Sequence, residues 1–251
     1  MQRIKSKSLT NEVKDAIYKY IKSLDLSKDT KLPSEENMAQ LIGVSRITIR
    51  SALNELASEG VIFRRQGKGT FVNSEALKMK AQLNPVKQFT DIIESSGYKS
   101  SIKALGYEIV NADFNLSNLL KIKENEPLVA VKKIFYADEN PCTYCVDYFP
   151  LSLLENENEC DDLNRYDESI FKFLRDKAGV SISWDKVEIK TITNVENEEL
   201  NNPFECEDKV KSFLLLEGIN FDENDRPVMY IKEYIDTTFI RFNIIRQRLM
   251  G

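Results

Sequence analysis

The most constraining feature of this sequence is the stretch from Leu32 to Asn73, in which residues that start and end helices follow one another closely. Ser34 can cap the N-terminus of a short helix, and Gly43 can end that helix because glycine readily adopts the left-handed conformation. Ser45 supplies a second cap before a longer helix, which Gly60 ends in the same way. Two helices joined by a glycine-containing turn predict a helix-turn-helix, whose second helix enters the major groove of DNA.

The residues around this pair of helices extend the prediction to a winged helix-turn-helix. Apolar residues recur at helical spacing over 9–24, which predicts an amphipathic first helix. In the later helix, the apolar positions face the core and leave Arg46, Thr48 and Arg50 available to a partner. Two short strands at 61–63 and 70–72 then flank a basic turn with two glycines, which predicts a hairpin with a cationic tip. The alternative is an ordinary small helical domain with solvated charges.

The charge distribution separates this region from the rest of the chain. The first 74 residues hold 13 of the 35 lysines and arginines and 8 of the 40 aspartates and glutamates, which is a balance of +5. The whole chain carries −5, so the remainder carries −10. This asymmetry indicates one module that faces a polyanion and another that does not.

The sequence predicts three segments: a winged domain at 1–73, a linker at 74–85, and an α+β domain with a mainly antiparallel sheet at 86–251. A strand–turn–proline–strand pattern at 128–149 recurs at 211–235, which indicates two similar halves. Ser117 is predicted to cap a helix at 118–123, and the alternating pattern of 180–193 predicts a half-buried strand. A last strand is expected at 241–249, and the remaining predicted elements are a helix starting near Phe89, a helix from Ser169 to Gly179, a short helix at 196–200 and a strand at 102–112.

Several classes of function are excluded or disfavoured by composition. The chain has no histidine, which excludes Ser-His-Asp and Cys-His catalysis. Its four cysteines include one C-x-x-C pair, Cys142 and Cys145, without the second pair or histidines that zinc would need, so we expect reduced thiols, no metal and no cofactor. No apolar run approaches the roughly 20 residues that cross a bilayer, and the first residues lack the features of a secretion signal. We therefore expect a cytoplasmic protein without a membrane partner.

Residues 9–73 resemble the winged-helix domain of the GntR family of bacterial transcription regulators. The resemblance is carried by four motifs, which are L-P-S-E at 32–35, S-R-I-T-I-R at 45–50, the segment 53–60, and G-K-G-T at 67–70. It implies a homodimeric regulator that binds double-stranded operator DNA, with the recognition helix in the major groove and the glycine-rich tip of the wing in the minor groove. The DNA-binding residues expected from motif and position are Ser34, Ser45, Arg46, Thr48, Arg50, Gln66, Lys68 and Gly69.

One position departs from the family pattern. Many relatives have an arginine after L-P-S-E that helps to contact DNA, whereas this chain has Glu36. A carboxylate cannot pair with a phosphate, so we exclude Glu36 from the site and expect a somewhat different operator preference.

A looser resemblance rests on Phe89 and Thr90, the two strand–turn–proline units, D-Y-F-P at 147–150 and S-I-F at 169–171. In these features residues 86–249 resemble the UTRA ligand-binding domain of the HutC-type branch, whose fold is similar to that of chorismate lyase. The resemblance implies a small-molecule effector, and in sugar-phosphate-sensing relatives basic residues near Lys133 and hydroxyl residues near Thr90 and Ser169 hold the phosphate. This chain keeps Lys133 but has Phe135 where such relatives often carry a second arginine, so either the ligand is less anionic or another residue supplies the charge. The candidate effector residues are Phe89, Thr90, Lys133, Phe135, Cys145, Asp147, Ser169, Phe171 and Tyr230.

The expected function is a transcriptional regulator, by family default a repressor of adjacent uptake or catabolic genes that a sugar phosphate releases from DNA. Two alternatives stay open. One is a constitutive DNA-binding protein whose C-terminal domain only dimerises, and the other is a lyase-like enzyme. Catalysis is disfavoured because the sequence has no histidine, no metal cluster and no phosphate loop, and fold alone does not establish an activity.

Overall fold

The computed structural model describes residues 9–25, 30–74, 81–82, 88–165, 169–206 and 209–243. Contacts divide the chain into two compact units. The described residues up to Gln82 form the first unit together with Phe242 and Asn243, and residues 88–241 form the second, apart from the ranges outside the description.

Three helices form the body of the first unit: α1 (Leu9–Ser23), α2 (Glu35–Ile42) and α3 (Arg46–Ser58). Both predicted caps are confirmed, since the Ser34 hydroxyl accepts from the Asn37 N–H and the Ser45 hydroxyl accepts from the Thr48 N–H. Gly43 has a φ of 78°, so it ends α2 in the left-handed conformation that a side chain would disfavour. The local signals therefore place both helices where the sequence predicted them.

A two-stranded wing follows the helices. Strands β1 (Ile62–Arg65) and β2 (Gly69–Val72) pair antiparallel, with Arg65 opposite Gly69 at the turn. One face of α1 packs against α3, and the core of the unit consists of buried side chains that include Ile17, Ile21, Ile49, Leu53, Leu56, Ile62 and Val72. The predicted winged helix-turn-helix is confirmed.

The ends of the second domain differ from the sequence-based boundaries. Strand β3 (Ala81–Gln82) lies inside the segment predicted as a linker, and it pairs in parallel with β10 (Phe242–Asn243). This pairing joins residues 242–243 to the first unit, although the sequence assigned them to the second. Of the predicted last strand, 241–249, Arg241 lies before β10, and residues 244–249 lie outside the described residues.

The second unit is built on one antiparallel sheet of six strands in the order β4-β5-β6-β9-β8-β7. The strands are β4 (Ser100–Asn111), β5 (Pro127–Ala137), β6 (Asn140–Pro150), β7 (Ile182–Thr193), β8 (Ser212–Asp222) and β9 (Pro227–Ile235). The helices are α4 (Phe89–Ser95), α5 (Phe114–Leu120) and α6 (Ile170–Ala178), with 3-10 segments at Leu151–Leu153, Glu157–Arg165 and Glu198–Leu200. The predicted α+β class is confirmed.

The strand order shows the two halves that the sequence repeat predicted. Strands β4, β5 and β6 form one half, β7, β8 and β9 form the other, and the halves meet where β6 pairs with β9. We call this ladder, Thr143–Tyr148 against Tyr230–Ile235, the seam. Each half contributes a helix, a first strand, a short helical segment and a hairpin in the same order.

Two predictions for this unit are wrong. Ser117 does not cap a helix, because α5 begins at Phe114 behind the cap Asp113, and the Ser117 hydroxyl instead donates to the Phe114 carbonyl at 3.0 Å. Strand β7 is exposed along most of its length rather than half-buried. It forms an edge of the sheet, so its alternating pattern does not correspond to a covered face.

The chain's one tryptophan lies on this edge. Trp184 stacks on Phe221 with ring centroids 4.0 Å apart, and its indole N–H donates to Asp225 at 2.8 Å. No helix among the described residues is long and apolar enough to cross a membrane.

Candidate functional site

The first candidate site is the exposed N-terminal end of α3, which we call the reading end. The Ser45 hydroxyl is within 2.9 Å of the Thr48 hydroxyl, so the cap and the threonine side chain form one hydrogen-bonded pair. Arg46 and Arg50 are exposed here, whereas Ile49 beside them is fully buried. The core side of the helix thus fixes which residues remain available to a partner.

An acidic residue organises the arginines near this end. The Glu35 carboxylate oxygen Oε2 accepts from Arg50 Nε at 3.1 Å and from Arg50 Nη2 at 2.8 Å. Its Oε1 accepts from Arg64 Nη2 at 3.4 Å. The hydrogen bonds from Arg50 and the positive charges of Arg50, Arg64 and Arg46 lower the pKa of Glu35, so this carboxylate is ionised at neutral pH.

The wing carries the remaining predicted DNA contacts. Gln66 and Lys68 are exposed at its tip, and with Lys31, Pro33 and Arg64 they line a cleft of about 700 Å³ beside the start of α2. Gly69 has a φ of 115°, and a Cβ at this position would lie 3.1 Å from Lys31 Cε. Glycine is therefore favoured at the tip by its backbone conformation, whereas the Lys31 side chain is flexible and could move away from a Cβ.

A second arginine of the wing is held by aromatic rings. The Arg65 guanidinium lies 5.0 Å from the ring centroid of Phe63 and 5.1 Å from that of Phe71, and the two rings stack at 5.8 Å. The attraction of a cation to aromatic rings favours this position of the Arg65 side chain.

Sequence reasoning missed one exposed apolar side chain at the reading end. Ile47 lies between Arg46 and Thr48 and is 77% exposed. Apolar side chains in the major groove contact the methyl group of thymine. The available signal was that Ile47 falls outside the core spacing of Ile49, Leu53 and Leu56.

The second candidate site lies on one face of the sheet in the second unit. Lys133 on β5, Cys145 on β6 and Glu233 on β9 are direct neighbours in register. Asp147 is two residues beyond Cys145 on the same face, since side chains alternate along a strand. We call these four residues the polar row; Lys133, Cys145 and Asp147 are buried, and Glu233 is partly buried.

Burial sets the protonation of the polar row. It raises the pKa of Asp147 to about 6, although the positive charge of Lys133 acts in the opposite direction. Burial, with the negative charges of Asp147 and Asp185, raises the pKa of Glu233 to about 8. The pKa of the Cys145 thiol is also raised by burial, so it stays protonated. The row therefore contains one lysine and two carboxyl groups. These two carboxyl groups, Asp147 and Glu233, can gain or lose protons near neutral pH.

Most of the other predicted effector residues lie on this face or near it. Phe89, at the start of α4, contacts Phe135 with ring centroids 5.3 Å apart, which brings the adjacent Thr90 to the same end of β5. Ser169 caps α6 by accepting from the Phe171 N–H at 3.3 Å. Phe171 packs on the apolar cluster that includes Val131, Phe149 and Ile231. Two members of this cluster, Val131 and Ile231, pair with Asp147 from the neighbouring strands.

Tyr230 lies apart from this group of predicted effector residues. It pairs in register with Tyr148 and Ile219, whereas Asp147 pairs with the next residue, Ile231. One step along a strand reverses the side chain, so Tyr230 points from the opposite face of the sheet. There its hydroxyl donates to Glu217 Oε1 at 2.6 Å.

Glu233 is the member of the polar row that sequence reasoning missed. In β9 its side chain points to the face opposite to that of Tyr230, Lys232 and Tyr234. Only the register shows that Glu233 lies beside Cys145. A carboxylate on the buried side of a central strand was the available signal. No cluster of three potential metal ligands occurs among the described residues, and all four cysteines are buried and free.

Two protein-family models match the chain. The model described as bacterial regulatory proteins, gntR family, matches residues 9–72, and the UTRA domain model matches residues 95–240. The reading end and wing thus fall in the first match, and the polar row falls in the second.

Curated relatives and solved structures agree with these matches. YurK of Bacillus subtilis, an uncharacterised HTH-type transcriptional regulator, is 36% identical over 58% of this chain and 56% of its own length. The "Probable fructoselysine utilization operon transcriptional repressor" of Shigella flexneri is 30% identical over 86% of this chain and 83% of its own length. The crystal structure of the "possible transcriptional regulator YydK" from Bacillus subtilis has a TM-score of 0.71, with 21% identity over 95% of this chain and 99% of that one, and it supports the fold alone.

Proposed function

Because this chain belongs to the GntR family of bacterial regulatory proteins and carries a UTRA domain, we propose that it is a homodimeric repressor that a small metabolite releases from operator DNA. Its relatives are transcriptional regulators, not enzymes.

The DNA-binding part of the proposal is carried by the reading end. Arg46 and Arg50 are exposed on the one basic module of the chain, at the helix end that enters the major groove in this fold. An arginine guanidinium matches guanine O6 and N7 with two parallel donors, which discriminates by about 1–3 kcal/mol. The wing residues Gln66, Lys68 and Gly69 are the proposed minor-groove contacts.

A binding titration tests these assignments. A duplex selected by the full chain from random-sequence DNA is compared with a scrambled duplex, using the wild type and the variants Arg46→Ala and Arg50→Ala. Each variant is expected to lose preference for the selected duplex, whereas Arg175→Ala, a control at an exposed arginine of the second unit, keeps it. If both reading-end variants keep the wild-type preference, the assignment is wrong.

For the effector, we propose a phosphorylated sugar held on the face of the polar row. Lys133 supplies a buried positive charge, and the hydroxyl groups of Thr90 and Ser169 lie on the elements that meet this face. A second candidate is a sugar that carries an amino group, because Asp147 and Glu233 place two carboxyl groups in the same row as the lysine. A relative's name refers to fructoselysine utilization, which makes fructoselysine a suitable probe of this second class.

A thermal shift panel separates the candidates, because a ligand that binds only the folded state stabilises by about 2.7 kcal/mol at 100 times its Kd. The probes are fructose, fructose 6-phosphate, fructoselysine and inorganic phosphate. Stabilisation by fructose 6-phosphate alone supports the phosphorylated sugar, and stabilisation by fructoselysine alone supports the amine. If no probe stabilises, none of these four compounds is the effector.

Adjacent lysines provide a matched control for the site. Lys133→Met is expected to abolish the shift caused by the phosphorylated sugar, because it removes the positive charge of the polar row. Lys132→Met is expected to keep it, because Lys132 lies on the opposite face and pairs with Glu108 at 2.8 Å. Equal responses of the two variants to the phosphorylated sugar would contradict a phosphate site at Lys133.

Release of DNA requires the effector to bind the DNA-competent and DNA-incompetent states with different affinity. We propose that the effector changes the separation of the two winged units in the dimer, which must match half-sites about one helical turn apart. Small-angle scattering with and without a probe that releases DNA tests this step, and an unchanged separation would refute it.

A further inference from the structure

We propose that Glu35 is a positioning residue for DNA recognition: it holds the Arg50 side chain so that its outer fork faces a guanine. The proposal rests on the assignment of Arg50 as a base-reading residue and adds to it how that residue is oriented. The observation that carries it is the pair of hydrogen bonds from Arg50 Nε and Nη2 to one oxygen of Glu35.

The geometry leaves the reading edge of Arg50 available. A guanidinium has two usable edges, a side edge formed by Nε and Nη2 and an outer edge formed by Nη1 and Nη2. Glu35 occupies the side edge, and the Arg50 side chain stays 56% exposed. The outer edge has the two parallel donors that guanine O6 and N7 accept.

Holding the side chain in advance matters because arginine is long and flexible. A free arginine loses most of its rotamer freedom when it docks in a groove, and this loss opposes binding. Glu35 fixes the side chain before DNA arrives, since it starts α2 beside its cap Ser34 and is anchored by the helix backbone. A fork that is already oriented also discriminates better, because moving it to accept a wrong base would break its hydrogen bonds to Glu35.

The same carboxylate connects the recognition helix to the wing. Its second oxygen lies 3.4 Å from Arg64 Nη2 on β1, so one residue links side chains of α3 and the wing. Each of the two ion pairs is exposed enough to contribute little to stability. The arrangement is therefore better explained by orientation than by stabilisation.

Glu36 provides a matched control. It is the next residue, it also lies in the first turn of α2, and it is exposed. Glu35→Gln and Glu36→Gln remove the same charge from the same helix turn, so both weaken the repulsion of phosphates and both act alike on the helix dipole. Only Glu35→Gln also replaces the charge-assisted hydrogen bonds that hold Arg50 by weaker neutral ones.

The test measures discrimination rather than affinity. The full chain binds the selected duplex in versions in which each guanine in turn is replaced by 7-deazaguanine, which lacks the N7 acceptor. The wild type is expected to lose about 10-fold in affinity at one guanine, and Arg50→Ala, which lacks the fork, identifies that base by losing this sensitivity. Glu36→Gln is expected to keep the 10-fold penalty, whereas Glu35→Gln is expected to reduce it to about 2-fold.

A further variant separates charge from position. Glu35→Asp keeps the charge and the acidic first turn but shortens the reach to Arg50, so it is also expected to reduce the penalty at the same guanine. Thermal unfolding of each variant checks that the winged unit folds, and Glu35→Asp serves as the measurement if the glutamine variant is unstable.

Two failures are distinguishable. If Arg50→Ala keeps the wild-type penalty at every guanine, Arg50 does not read a base, and its proposed role fails together with this one. If Arg50→Ala loses the penalty while Glu35→Gln and Glu35→Asp both keep it in full, Arg50 reads the base unaided and only the role of Glu35 is overturned.

Discussion

Replacing Glu233 by glutamine is expected to change how the stability of the second unit depends on pH. Burial and the charges of Asp147 and Asp185 raise the pKa of Glu233 from an ordinary value of 4.5 to about 8. The folded protein therefore holds this proton more tightly than the unfolded chain does, so unfolding releases a proton between these two values. The free energy of unfolding must then fall as pH rises through that range.

The magnitude follows from the size of the window. Each pH unit inside it contributes at most about 1.4 kcal/mol for one group, which gives an upper bound of about 2 kcal/mol between about pH 6 and about pH 7.5. Glu233 is only partly buried, and solvent screens part of the effect. We expect about 1 kcal/mol of this pH dependence to disappear in Glu233→Gln, because the amide has nearly the same shape and does not titrate.

Urea unfolding of the full chain at the two pH values provides the assay, with the fluorescence of Trp184 reporting on the second unit. The control is Glu139→Gln, which removes a carboxylate exposed in the turn between β5 and β6. Asp147 titrates in the same range and is coupled to Glu233, so the difference between the two variants reports on Glu233 together with its effect on Asp147. If Glu233→Gln and Glu139→Gln show the same pH dependence, Glu233 is not held protonated in the folded state.

Three further variants test the described contacts. Ser45→Ala removes the cap of α3 and is expected to lower the stability of the first unit by about 1 kcal/mol, measured by urea unfolding followed by circular dichroism; no change would mean that the cap bond is not formed. Phe173→Ala removes a ring that is 1% exposed and packs on Phe149. We expect the free energy of unfolding of the second unit, followed by Trp184 fluorescence, to fall by about 3–5 kcal/mol. A fall below about 1 kcal/mol would contradict the packing. Gly69→Ala places a Cβ at a φ of 115° and 3.1 Å from Lys31 Cε, so it is expected to cost more than about 1 kcal/mol in differential scanning calorimetry, which a neutral result would refute.

The elements with local causes were predictable from the sequence. Ser34, Gly43 and Ser45 act on backbone groups within a few residues, so the sequence contains what is needed to place α2 and α3. The fold class and the repeat of the two halves were predictable for a similar reason, since turn residues and apolar alternation recur in each half.

The residues that the sequence misplaced depend on contacts between distant segments. Ser117 has the chemistry of a cap, but Asp113 precedes it and starts the helix one turn earlier. Tyr230 and Glu233 lie three positions apart on one strand, so they face opposite sides, and only the register of β9 against β6 shows which of them joins Asp147. The ion pairs of Glu35 with Arg50 and Arg64 likewise join three segments that no local pattern connects.

The seam between β6 and β9 has a mechanical consequence. Asp147 belongs to one half of the sheet and Glu233 to the other, and both lie along this single ladder. A molecule bound to both carboxyl groups would connect the two halves of the sheet. Sliding one half along the other would then require breaking its contacts. A ligand bound at the polar row would then raise the free energy of local opening across the sheet. Amide protons along the seam would exchange more slowly in the ligand-bound protein.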